Sequence, residues 1–163
     1  MPWPSIIREN RQNSQGVRFA HKLSYLEGFG ALVGLTTVPG LIRNSNAVLY
    51  NDNSGFVNAY AKKHSPCPYL YSVAKAVHDV ALGLNCKVRV VKTKRCSGLG
   101  ERAADALSKG DWNQAWELIP MKQEDPAYIP RTLIQWITNP VPDMHLGSRV
   151  LSEMSKYTSV LRF

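Results

Sequence analysis

Acidic residues are scarce in this chain. Only 12 Asp and Glu stand against 20 Lys and Arg across 163 residues, which leaves a net charge of +8. Such an excess points to a polyanionic partner, most often nucleic acid, and says nothing about fold. Cysteine is scarcer still, at positions 67, 86 and 96. The number is odd and no Cys-x-x-Cys pair occurs, which argues against a disulfide framework and against a zinc site. The three therefore read as reduced thiols of an intracellular protein, acting as small buried hydrophobes. No run of about 18 apolar residues exists, so no membrane span is expected. The opening Met1-Pro2-Trp3-Pro4 lacks a basic stretch followed by an apolar core, so no secretory leader is expected. Internal repeats and low-complexity segments are also missing. What remains is 44% hydrophobic, enough to bury a core, and the length predicts one domain with a short appendage.

Three regions differ in texture. Residues 1–20 form a basic arm with Arg8, Arg11 and Arg18 against Glu9 alone, and a short strand is possible near Gly16-Val17-Arg18-Phe19. From Lys22 to Leu35, Leu23, Leu26, Ala31, Leu32 and Leu35 recur near helical spacing, with Ser24 as an early cap. Gly28, Gly30 and Gly34 either weaken that helix or let it pack closely on a sheet. Pro39-Gly40 breaks the chain. Asn46 to Asn51 is a short apolar run of the kind found in buried strands, and Asp52-Asn53-Ser54 leads straight into a helix. That order puts Asp52 at the carboxyl edge of a sheet, where α/β folds bind ligands.

After the turn Ser65-Pro66-Cys67-Pro68, a helix is predicted over 69–84. Its apolar side is Leu70, Val73, Ala74, Val77, Val80, Ala81 and Leu84. Lys87 to Lys94 alternates apolar and basic residues as a strand. Ser97-Gly98-Leu99-Gly100 reads as a loop and Glu101 to Lys109 as a helix ending at Gly110. The remainder, 111–163, carries Trp112, Trp116 and Trp136 among prolines 120, 126, 130, 140 and 142. It is expected to be an extended arm whose tryptophans dock on the body or on a partner. A last helix over 143–157 carries the stripe Leu146, Val150, Leu151 and Met154.

The chemistry-bearing candidates are three acids. Glu27 lies on the first helix, Asp52 ends the first strand, and Asp105 sits in Ala103-Ala104-Asp105-Ala106-Leu107. Each has a plain alternative: a solvated helix residue, a cap for the helix that follows, and an exposed surface acid. Their order, together with the segment Ala104-Asp105-Ala106-Leu107-Ser108-Lys109, resembles the ribonuclease H domain of retroelement reverse transcriptases of the long-terminal-repeat and tyrosine-recombinase groups. The resemblance covers about Gly16 to Gly110. It implies an α/β fold, a ribonuclease H-like mixed sheet with helices on both faces, N-terminally incomplete. The domain would occupy 21–110, with 1–20 and 111–163 as arm and extension.

By the same resemblance, Glu27, Asp52 and Asp105 would hold Mg²⁺ in a two-metal site that cleaves the RNA strand of an RNA–DNA hybrid. The sequence departs from the family at its start, where no Asp precedes Asp52 and no glycine-rich opening strand is found. A partner chain could supply that strand. Arg95 stands where relatives often carry His, and Glu101 where they carry Asn. The alternative to an active nuclease is a catalytically dead remnant, kept as a nucleic-acid-binding or structural subunit of a larger assembly. Under either reading Lys87, Arg89, Lys92, Lys94 and Arg95 are the residues expected to meet phosphates. A strand edge blunted by solvated cations is the plain alternative. Gly98-Leu99-Gly100 is too short to be a phosphate loop.

Overall fold

The computed structural model describes residues 19–94, 98–119 and 129–158. In chain order the elements are α1 (Phe19–Thr37), α2 (Pro39–Ile42), β1 (Asn46–Asn51), α3 (Ser54–Lys62), α4 (Pro68–Gly83), β2 (Lys87–Lys92), α5 (Leu99–Ser108), α6 (Trp112–Leu118), α7 (Arg131–Thr138) and α8 (Leu146–Thr158). The fold is α/β but mostly helical. Its sheet, among the described residues, is the single parallel pair β1–β2, running in register from Asn46 opposite Lys87 to Asn51 opposite Lys92. The crossover between the strands is α3 and α4, as a parallel connection requires. No helix among the described residues is long and apolar enough to cross a membrane.

α4 is the central helix. Leu70, Val73, Ala74, Val77, Val80 and Ala81 are all buried, as the helical period predicts. Pro68 opens it, where a missing N–H costs nothing. Asn85 leaves it through a left-handed conformation (φ 49°). α1 lays Tyr25, Phe29, Leu32 and Leu35 into the same core. Ser24 is not a cap. It is buried well inside α1, which starts at Phe19, and its side chain lies against Gly55. Of the three α1 glycines only Gly28 meets a neighbour, and that neighbour is a helix rather than a sheet: a Cβ there would come within 2.6 Å of the Phe56 ring. Pro39-Gly40 ends α1 as expected but starts another helical turn, α2, with Pro39 in its first turn.

β1 is not a buried strand. Asn46, Val48 and Tyr50 are exposed, whereas Ala47 and Leu49 pack toward the core. β2 repeats this pattern, with Lys87 and Arg89 outward and Val88 and Val90 inward. The described helices therefore cover one face of the sheet and leave Val48 and Tyr50 on the other in the open, where helices on both faces were expected.

The largest correction concerns 111–163. Its described residues, 111–119 and 129–158, form three helices in place of an extended arm, and of these only the last was expected. Asp111 caps α6 by accepting from Gln114 N at 3.0 Å. Pro130 precedes α7, a position compatible with proline's fixed φ. Pro140 and Pro142 follow that helix. The Glu153 carboxylate of α8 accepts from Arg131 N at 2.7 Å and Thr132 N at 2.9 Å, satisfying two donors that the first turn of α7 leaves open. α8 buries Leu146, Val150 and Met154 on the expected stripe, largely against α4. Trp136 is buried between Tyr25 and Phe29, with ring centroids 6.0 Å away in each case, and donates from Nε1 to the Val141 carbonyl at 2.8 Å. Trp112 and Trp116 remain partly exposed and pack edge-to-face on each other. The segment predicted as a loop before residue 101 is also partly helical, since Leu99 and Gly100 already belong to α5.

Candidate nucleic-acid interface

The outward face of the sheet is built from both strands in register. Asn46 lies beside Lys87, Val48 beside Arg89, and Tyr50 beside Val91. All share one face because side chains alternate along each strand. Tyr50 is 65% exposed, an unusual position for a ring in a short parallel strand. Lys92 closes β2 and donates to the Asp52 backbone carbonyl, and exposed Lys94 follows. One face thus combines two outward cations, a flat aromatic ring and two valines, with two further lysines at its carboxyl end. Arg95 lies outside the described residues.

Asp52 sits where the sequence placed it, immediately after β1 at the carboxyl end of the parallel pair. It does not cap α3. Asn53 does, accepting from Phe56 N at 3.0 Å, while its own N–H donates to Asn51 Oδ1 at 2.8 Å. Glu27 is exposed on α1, between Ser24, which touches Gly55, and Gly28, which faces Phe56. Glu27 and Asp52 therefore belong to elements that meet at the first turn of α3. Asp105 is held elsewhere. Its carboxylate pairs with Lys109 at 2.6 Å, one turn along α5. That helix packs chiefly on α6 through Ala103, Ala106 and Ala115, outside the main core.

Among the described residues no three His, Cys, Asp or Glu side chains converge to hold a metal ion, and Glu27, Asp52 and Asp105 are all described. Paired Mg²⁺ ions need several carboxylates gathered about one small volume. The residues present do not fit that requirement, so no Mg²⁺ ligands are assigned.

Sequence reasoning missed Tyr50 as a surface residue. The signal was available: period-two alternation over 46–51 puts Asn46, Val48 and Tyr50 on one side, and Lys87 and Arg89 show the same period. No family model matches the chain, and neither a curated protein nor a solved structure does.

Proposed function

We propose that this chain is a ribonuclease H-like, retroelement-derived module that binds nucleic acid and does not cleave it unaided. The observation that carries the reading is the outward sheet face. Lys87 and Arg89 stand on it beside Tyr50, and Lys92 and Lys94 continue the positive charge along the chain. Cations at strand spacing neutralise successive phosphates and give affinity without sequence preference. An exposed ring among them offers a stacking surface to a base. The chain order α1, α2, β1, α3, α4, β2, α5 is compatible with the family resemblance, while the scattered acids argue against an intact metal centre.

A second reading, cleavage of RNA in an RNA–DNA hybrid, is favoured by one observation. Asp52 occupies the carboxyl edge, and the α1 segment bearing Glu27 meets the turn beside it. The edge of β1 away from β2 pairs with no strand among the described residues, so a partner could add the missing strand and its carboxylate there. Incubating the pure chain with a labelled hybrid and Mg²⁺ separates the two. Binding without cleavage is expected. Cleavage that disappears in Asp52→Asn would replace the first reading with the second.

A further inference from the structure

We infer that a cavity at the amino end of β2 receives one nucleotide of a single strand. It measures about 550 Å³ and lies between the end of α3, the outer face of α4 and the start of β2. That volume is within the range of small-ligand sites. α4 contributes Tyr71, Lys75 and His78, spaced four and three residues apart and hence on one helix face, opposite the stripe it gives to the core. Lys63, in a left-handed conformation (φ 54°) at the end of α3, and Lys87, the first residue of β2, bring two more cations. Among the described residues Asp79 is the one acid lining the cavity, and Lys75 pairs with it at 2.6 Å. The lining is therefore net positive and carries flat rings.

The rings are fixed in place. The His78 imidazole lies parallel to the Tyr60 ring, centroids 3.9 Å apart and 2° from coplanar. Its Nε2 is 2.9 Å from the Tyr60 carbonyl, which can only accept, so the proton is on Nε2. Tyr60 is itself anchored, its hydroxyl donating to the Val88 carbonyl at 2.9 Å. The half-buried His78 ring, backed by buried Tyr60, loses little freedom when a base settles on it. Cations alone would suit any anion. Cations around fixed planar rings suit a ligand that is both flat and anionic, which a nucleotide unit is. The cavity shares Lys87 with the outward sheet face and lies away from the carboxyl edge. Lys87 and Lys92 open and close β2, roughly 17 Å apart at strand rise.

This inference rests on the nucleic-acid reading above for the choice of polyanion, and the test keeps the two apart. Fluorescence anisotropy compares a short labelled oligothymidylate with a blunt DNA duplex, on the full chain. The variant Lys63→Gln/Tyr71→Ala, with neither residue in the core, should weaken oligothymidylate binding about tenfold or more and leave duplex binding within roughly twofold. Arg89→Gln/Lys92→Gln should do the reverse. Lys75→Gln repeats the cavity test without removing a ring. Unchanged oligothymidylate affinity in the cavity variants would overturn the site, as would equal loss on both ligands. Thymidine monophosphate competing as well as unlabelled oligothymidylate would assign the cavity to a free nucleotide and overturn the single strand as its ligand. Failure of the unaltered chain to bind duplex, with oligothymidylate still bound through the cavity, would remove the sheet-face reading alone.

Discussion

At residue scale the glycines of α1 make opposite predictions. Gly30 and Gly34 face open space, so alanine at either position should stabilise the fold by about 0.5–1 kcal/mol through backbone entropy and helix propensity. Gly28 lies against the Phe56 ring and Val73, so Gly28→Ala should destabilise by roughly 1–3 kcal/mol. Urea denaturation of the three single variants measures all of this. Sequence could propose close packing for the group but could not single out Gly28, because the partner ring comes from a helix 28 residues further on. A second prediction concerns pH. Burial, with a smaller contribution from Cys86, raises the Tyr60 hydroxyl above its ordinary value; burial, then Tyr69 and Cys67, does the same at Tyr25. The folded state thus prefers the neutral phenol. The corresponding stability is complete below about pH 10, the unfolded value, and is lost as pH rises through the higher folded values. Tyr60→Phe should cost about 1 kcal/mol at neutral pH, from the lost bond to Val88, and flatten the alkaline decline in the denaturation midpoint.

At the scale of elements, the central helix, both strands and the turn at Asp52 were legible because each has a clean period and a clear breaker. The extended arm was misread because its prolines were counted as obstacles across the whole region. Pro130 sits at the boundary of α7 and Pro140 and Pro142 fall after it, so they bound a short helix. Its N-terminal cap comes from Glu153, 22 residues beyond Arg131, which no local pattern reveals. Trp136 shows the same limit: its docking surface is Tyr25 and Phe29 of α1. Trp136→Ala should therefore destabilise the molecule by about 3–5 kcal/mol, as for other buried large aromatics, whereas Trp116→Ala should change little. Thermal melts of the two variants compare them directly. The α8 contact is similarly close. A Cβ at Gly147 would come within 2.6 Å of the Asp79 Cβ and 3.0 Å of the Ala76 Cα, a backbone atom that cannot swing aside.

At the scale of the whole molecule, the candidate site divided along physical lines. The basic strand was visible in sequence because charge and alternation are local. Whether three acids meet depends on how α5 sits, and α5 packs chiefly on α6, with Asp105 tied to Lys109. Under the proposed function, the excess of basic residues over acidic ones serves binding rather than cleavage. The most direct measurement is the salt dependence of binding to a B-form DNA duplex, for the chain and for a variant with Lys87, Arg89, Lys92 and Lys94 replaced by Gln. Each lost phosphate contact should lower the log–log slope by about 0.9, so the variant should bind more weakly and with a clearly shallower slope. An unchanged slope would contradict the account, because the outward sheet face would then not be where the phosphates lie.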